Sequence, residues 1–345
     1  MSENLTFCEK FEHLLFEDFH RRSFTDTLEA PFTVHLFTYM KPVYFRWLKT
    51  QGASVCAVLL CASASNGQIV PDQTLPTSSK INAADCTNCV IEGGTLRGTN
   101  LFHSFQEFSI PTGGSAFFNN PGSIQNILTR VTGSSISNID GLLKANGTAN
   151  FFLLNPNGVL FGPNARLELG GSFFASTANS FKFSDGSEFS ATNPQAPPLL
   201  SVNITPGLQY GKPIGDLQNQ GNLQVKAGSS LTLFGSTVLS QGGLVAPGGR
   251  VEVLGDRVAL LDTARVDVSS PSGGGTVLIG GDYQGKGVVP NAQQTFVSPG
   301  VAIAADATQQ GKGGTIVVWA DQTTRFYGSA SAKGGASGGD GGLVD

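Results

Sequence analysis

The chain has 345 residues, enough to bury a large core, and a formal net charge of −4, which leaves no basic footprint for nucleic acid. Charged residues make up 13% of it, about half of the usual ~25%, while its 45 glycines are nearly twice the usual share of about 7%. Little charge, much glycine and many Ser, Thr and Asn suit stacked short strands rather than helices, and no apolar run reaches the ~18 residues of a membrane span.

Residues 40–64 hold a basic region (Lys41, Arg46, Lys49), a short apolar core from Ala53 to Ala62, and the small-residue cleavage site Ala62-Ser63-Ala64. The three parts come in the order of a secretory signal peptide, and that reading is preferred over an ordinary buried helix. Residues 1–39 fit it poorly: they carry seven acidic and three basic residues, with Phe7, Phe11, Phe16 and Phe19 at near-helical spacing. The preferred expectation is that translation starts at Met40 and that 1–39 is a mis-assigned extension; a genuine extended signal is the alternative. The mature chain, from about Ser65, then keeps one histidine, His103, and two cysteines, Cys86 and Cys89.

Gln68-Ile69-Val70-Pro71-Asp72 reads as a short strand followed by a breaker. Cys86-Thr87-Asn88-Cys89 is a C-x-x-C pair with several readings. A redox site needs a thioredoxin-like βαβ context, which is missing, and a metal site needs two further ligands where the mature chain offers only His103. A local disulfide in an oxidising compartment is the preferred reading, with free thiols the remainder. Phe102, Phe105, Phe108, Phe117 and Phe118 read as core, and His103 as a packing or hydrogen-bonding residue. Alternation puts Phe108 and Ile110 on one face of a strand. Residues 121–133 fit either a turn with a short helix or an extended strand, and Leu142 and Leu143 form an apolar pair between turns.

Phe151 to Thr177 reads as strand, sharp turn, strand, sharp turn, strand. The first turn is Asn155-Pro156-Asn157-Gly158, where proline presets φ and glycine closes the turn; the second is Gly162-Pro163-Asn164. That is how one coil of a β-solenoid is written.

This stretch closely resembles the secretion domain of filamentous haemagglutinin-like proteins, the exported partners of two-partner secretion systems. Asn155-Pro156-Asn157-Gly158-Val159 matches that family's NPNG[IV] motif. The likeness extends through Leu101 to Phe108, Phe117 to Asn120 and Ile127 to Gly133, in wording most like the cyanobacterial branch. The family's NPNL motif, carried by some members, is missing here, so its role does not transfer. The resemblance implies a right-handed parallel β-helix with an N-terminal cap and extra-helical β-hairpins. It divides the chain into a secretion domain over 65–210 and a repeat region over 211–345. It further implies export across the outer membrane through a β-barrel transporter with periplasmic recognition domains, to the medium or the cell surface. Asn155 to Gly158 are then expected as a structural turn on which folding and secretion depend, rather than as a contact surface.

Phe181, Phe183 and Phe189 around Asp185-Gly186 form a hairpin signal, the candidate extra-helical hairpin, and 193–198 is a proline-rich loop. Beyond 211, Leu223 and Val225, Leu231 and Leu233, Val251 and Val253, Val266 and Val268, and Val277 and Ile279 alternate with polar residues. Glycine pairs starting at 248, 274, 313 and 341 introduce some of these strands at intervals of 26, 39 and 28 residues. That fits coils of about 20–29 residues with insertions, and about a dozen coils would make a rod of roughly 60 Å. The chain stops in mid-repeat, which reads as a truncated gene or a fragment of a longer protein.

Parallel β-helices also host polysaccharide-degrading enzymes, whose chemistry needs clustered carboxylates. Asp262 and Asp267 with Arg257 and Arg265 are the best such cluster, and alternation puts them on an outer face. No enzyme activity, metal or cofactor is expected; Gly338 to Gly342 is too degenerate for a calcium repeat. Surface glycans, bound by the fragment acting as an adhesin, are the alternative partner.

Overall fold

The computed structural model describes residues 68–83, 86–183, 186–194 and 211–345, all within one compact unit, Ala64–Asp345. Residues 1–39, expected as an extension, residues 40–64 with Ala62 and Ala64, expected as a signal peptide, and most of the stretch from the proline-rich loop to 210 lie outside those residues.

The described residues form a parallel β-helix whose coils each lay strands on three faces. The first face stacks nine strands in parallel: Asn100–Phe108, Asn126–Val131, Asn150–Leu154, Phe173–Ser176, the first half of Ser230–Ser240, the first half of Arg250–Leu260, Thr276–Ile279, Thr315–Val318 and Leu343–Val344. The second face runs from Ser137–Ile139 through Val159–Phe161 and Leu217–Asn219 to the far halves of the two long strands, then to Gln294–Val297 and Thr323–Phe326. The third face is split into two sheets. One runs through Cys89–Gly93, Ser115–Phe118, Leu142–Ala145 and Arg166–Glu168, the other from Asn222–Gln224 to Ser329–Ser331. Nine stacked strands at about 4.8 Å span about 40 Å, shorter than the dozen coils expected. Insertions absorb the difference: the register steps from Thr276 directly to Thr315.

Side-chain alternation sets the inside of the coil. Phe151 and Leu153 point inward at 0% exposure with Phe118 and Phe173, whereas their neighbours Phe152 and Leu154 point outward. The outward residues are buried too. The antiparallel hairpin Ser180–Lys182 and Glu188–Ser190 lies over them, with Phe181 about 6 Å from Phe152 (5.9 Å) and Phe174 (5.8 Å), and Phe189 5.0 Å from Phe102. Phe102 thus belongs to this outer cluster, and Phe105 and Phe108 to the inner core. Residues 121–133 take the extended alternative, as strand Asn126–Val131.

At the N-terminal end the parallel order stops. Ile69–Pro71 and Thr95–Arg97 pair antiparallel with Asn100–Phe108, and Ser79–Ile81 pairs antiparallel with Cys89–Gly93. These strands cap the first coil, whose edge would otherwise offer unpaired backbone groups to another chain.

In the C-terminal half the glycine pairs stack on one another. The strands that follow them are in register, Arg250 on Thr276, Thr276 on Thr315 and Thr315 on Leu343. A Cβ on Gly275 would lie 2.2 Å from the Gly249 carbonyl oxygen, and one on Gly314 2.0 Å from that of Gly275. The pairs therefore mark a corner where coil backbones meet too closely for a side chain.

Candidate functional site

The turn Asn155-Pro156-Asn157-Gly158 joins the first face to the second. Gly158 N–H donates to the Asn155 carbonyl at 3.1 Å, closing the turn, and Gly158 takes φ +132°, a conformation that favours glycine. Asn155 is fully buried and uses its whole amide. Its Nδ2 donates to Ser135 O and Ser137 Oγ of the preceding coil, each at 3.0 Å, and its Oδ1 accepts from the Asn157 backbone N–H and side chain, each at 3.0 Å. Asn157 Nδ2 also donates to Gly133 O at 2.7 Å. On the other side, Asn155 N–H donates to Ser176 O at 3.0 Å and Val159 N–H to Asp216 O at 3.1 Å. The corner therefore ties three successive coils together, and Asn157 is the exposed residue of the four.

Cys86 and Cys89 are both buried and joined by a disulfide, Cα atoms 4.6 Å apart, directly ahead of the cap-side strand Cys89–Gly93. His103 lies inside the first coil at 1% exposure. Its Nδ1 is 2.9 Å from Ser79 Oγ, and its ring stacks on Phe105 and meets the Phe118 ring edge-on. Burial lowers its pKa to about 3, so it is neutral at ordinary pH.

A second centre escaped the sequence reading. Arg130, in the apolar run Ile127 to Val131, is 0% exposed on the outward side of its strand. Its Nε donates to Ser104 Oγ (2.9 Å), one terminal nitrogen to Thr74 Oγ1 (2.9 Å) and the other to the Ser190 carbonyl (2.8 Å). The guanidinium carbon sits 4.2 Å from the centre of the Phe189 ring, within cation–π range. Asp72 completes the group: its carboxylate accepts from Thr74 N–H (3.0 Å), Thr74 Oγ1 (2.7 Å), Ser104 Oγ (2.7 Å) and Thr132 Oγ1 (2.6 Å). Burial pushes the Asp72 pKa up, but the hydrogen bonds from Thr132, Ser104 and Thr74 outweigh it and leave the pKa lowered. Burial lowers the Arg130 pKa to about 10, against the raising effect of Asp72, so the arginine stays charged. Cap, first coil, second coil and hairpin all meet here. A cationic residue inside an apolar alternation was the one sequence signal for it.

A ladder of carboxamides marks the corner before the first face. Asn126 Nδ2 donates to Asn100 Oδ1 (2.8 Å), Asn150 Nδ2 to Asn126 Oδ1 (3.0 Å), and Ser172 N–H to Asn150 Oδ1 (2.9 Å). Of the cluster considered for hydrolysis, Asp262, Arg265 and Asp267 are exposed, and Asp262 accepts from Gln241 Nε2 at 2.6 Å. Among the described residues, no three His, Cys, Asp or Glu side chains group as a metal site, and no helix is long and apolar enough to cross a membrane.

Comparison with known proteins adds two findings. A family profile described as "TPS secretion domain" matches residues 67–318. Among solved structures, the chain is similar to the HMW1 secretion domain from Haemophilus influenzae, with 19% identity and a TM-score of 0.40 over 81% of this chain and 100% of that one. No curated protein matches the chain.

Proposed function

The chain belongs to the TPS secretion domain family, and from that membership we propose that it works as the exported partner of a two-partner secretion system, its N-terminal coils recognised by an outer-membrane β-barrel transporter. The single observation that carries the reading is the family match across 67–318, most of the chain. Recognition in the periplasm takes an extended segment, by strand addition to a soluble domain of the transporter. Passage is vectorial: each coil emerging outside the cell stacks on one already formed, so folding favours forward movement. The product is released or displayed at the surface as an adhesin-like β-helix without enzyme activity.

The Asn155 to Gly158 turn acts through folding. Asn155 spends its Nδ2 on the preceding coil and its Oδ1 on Asn157 of the same turn, and truncating it leaves buried partners unpaired at about 1–3 kcal/mol. The test is secretion of the full chain with and without a co-expressed cognate transporter, as wild type and as Asn155→Ala. We expect transporter-dependent appearance in the medium, sharply reduced in the variant together with a lower urea midpoint. Retention of the wild type in the periplasm under both conditions would overturn the export reading. Secretion of Asn155→Ala at wild-type level would overturn the role given to the turn.

A further inference from the structure

The Arg130 centre is assembled from segments far apart in sequence. Thr74 lies 56 residues before Arg130, Ser104 26 before, and Ser190 60 after. Before Phe189 and Ser190 are in place, Arg130 lacks the bond to the Ser190 carbonyl and the cover of the Phe189 ring, and water reaches that side of the guanidinium. In that state the attraction between Arg130 and Asp72 is that of an exposed pair and contributes little. Docking of the hairpin excludes water, and the same charges then interact in a medium of lower dielectric. The converse holds as well. A hairpin that closed over Arg130 without Thr74 and Asp72 in place would bury an uncompensated charge. Leu75 of the cap belongs to the same outer apolar cluster as Phe102 and Phe189, so the cap loop and the hairpin share one apolar layer.

We propose that Arg130 is a latch that makes closure of the N-terminal cap and docking of the Ser180–Ser190 hairpin mutually dependent. The cap loop around Asp72 and Thr74 becomes fixed only once the hairpin has been delivered. On the export reading, this keeps the cap strands open and extended until the chain has emerged as far as residue 190, after which the first coils seal. The placement within secretion rests on that reading; the coupling itself does not.

The charges that the centre brings together include Asp72 and Arg130; the elements packed on them contribute Thr74, Ser104, Thr132, Phe189 and the Ser190 carbonyl. The experiment is amide hydrogen exchange on the full chain in four forms: wild type, Phe189→Ala, Arg130→Met and the double variant. With the latch, Phe189→Ala accelerates exchange in the cap strands Ile69–Pro71 and Ser79–Ile81 by tenfold or more, although those strands lie over 100 residues upstream. In the Arg130→Met background, where no charge awaits the ring, the same substitution accelerates cap exchange less than threefold. If Phe189→Ala does not fold, Phe189→Leu keeps the apolar bulk, removes the ring face and replaces it in the same cycle. Acceleration confined to the hairpin, or equal acceleration of the cap in both backgrounds, overturns the proposal. The export reading is decided separately by the Asn155 experiment, so either can fail alone.

Discussion

The coils before residue 177 and those after 216 enclose a core on the same three faces but fill it differently. Between 100 and 176 six rings are set among the aliphatic residues of the inside, Phe105, Phe108, Phe118, Phe151, Phe161 and Phe173, with Phe118 and Phe151 4.8 Å apart edge to face. Between 217 and 318 it is built of Leu231, Leu233, Val251, Val253, Val277, Ile279 and Ile316, each coil repeating the last. The polar interior differs in the same way. The N-terminal coils bury His103, Arg130 and Asn155, and the Arg130 partners bridge up to 60 residues. In the C-terminal coils the buried Glu252 accepts from Arg250 of its own strand (2.5 Å) and from Thr232 of the adjacent coil (2.9 Å). The first region is thus a particular object held by long-range contacts. The second is a stack whose stability is a sum of neighbour terms.

If the rings make the N-terminal coils particular, removing one should cost more than removing an aliphatic residue from the same face. Phe151→Ala is expected to destabilise by about 3–5 kcal/mol, through lost transfer energy and a cavity against Phe118 and Phe173. Val253→Ala, equally buried, should cost about 2 kcal/mol. Urea midpoints of the two variants are the measurement, and equal shifts would break the contrast.

Acid should find the N-terminal region first. His103 has its folded pKa depressed to about 3 by burial, below the ~6.5 of an unfolded histidine. The unfolded chain therefore binds the proton more readily. The contribution is complete above pH 6.5 and is lost as pH falls from there toward 3. Between pH 7 and pH 4 the loss is about 3 kcal/mol. Asp72, whose pKa is lowered, keeps its contribution until the pH drops below the ordinary carboxylate range. Chemical melts at pH 7, 5.5 and 4 should show this slope, and His103→Gln should flatten it whatever it does to stability at pH 7. An unchanged slope in that variant would place the acid sensitivity elsewhere.

The two regions were also unequally legible in the sequence. Alternation at Leu231 and Leu233 or Val251 and Val253, and the glycine pairs, announced the stacked coils because those contacts repeat locally. The Asn155 to Gly158 turn was legible for the same reason: proline and glycine fix its backbone within four residues. The latch was not, because Thr74, Arg130 and Ser190 become neighbours only after the chain has coiled. The run Phe151 to Leu154 was ambiguous in another way. It is apolar on both faces, so periodicity could not say that Phe152 and Leu154 look outward beneath a hairpin. The coil count failed because the sequence shows where glycine pairs fall but not how many residues loop out between them.

The smallest expected effect tests the other half of the contrast. Gly275→Ala places a methyl 2.2 Å from the Gly249 carbonyl oxygen and 3.0 Å from Val268 Cβ, so adjacent coils must part at that corner. Overpacking of this kind costs about 1–3 kcal/mol. Since the C-terminal coils answer mainly to their neighbours, the damage should stay local. Amide exchange should accelerate in Arg250–Leu260, Thr276–Ile279 and Thr315–Val318, which stack through this corner. Strands such as Asn126–Val131 and the hairpin should keep wild-type protection. Should protection instead fall together along the whole solenoid, the C-terminal coils are coupled to the latch end as tightly as to each other, and the division drawn here between a particular region and a repeating one does not hold.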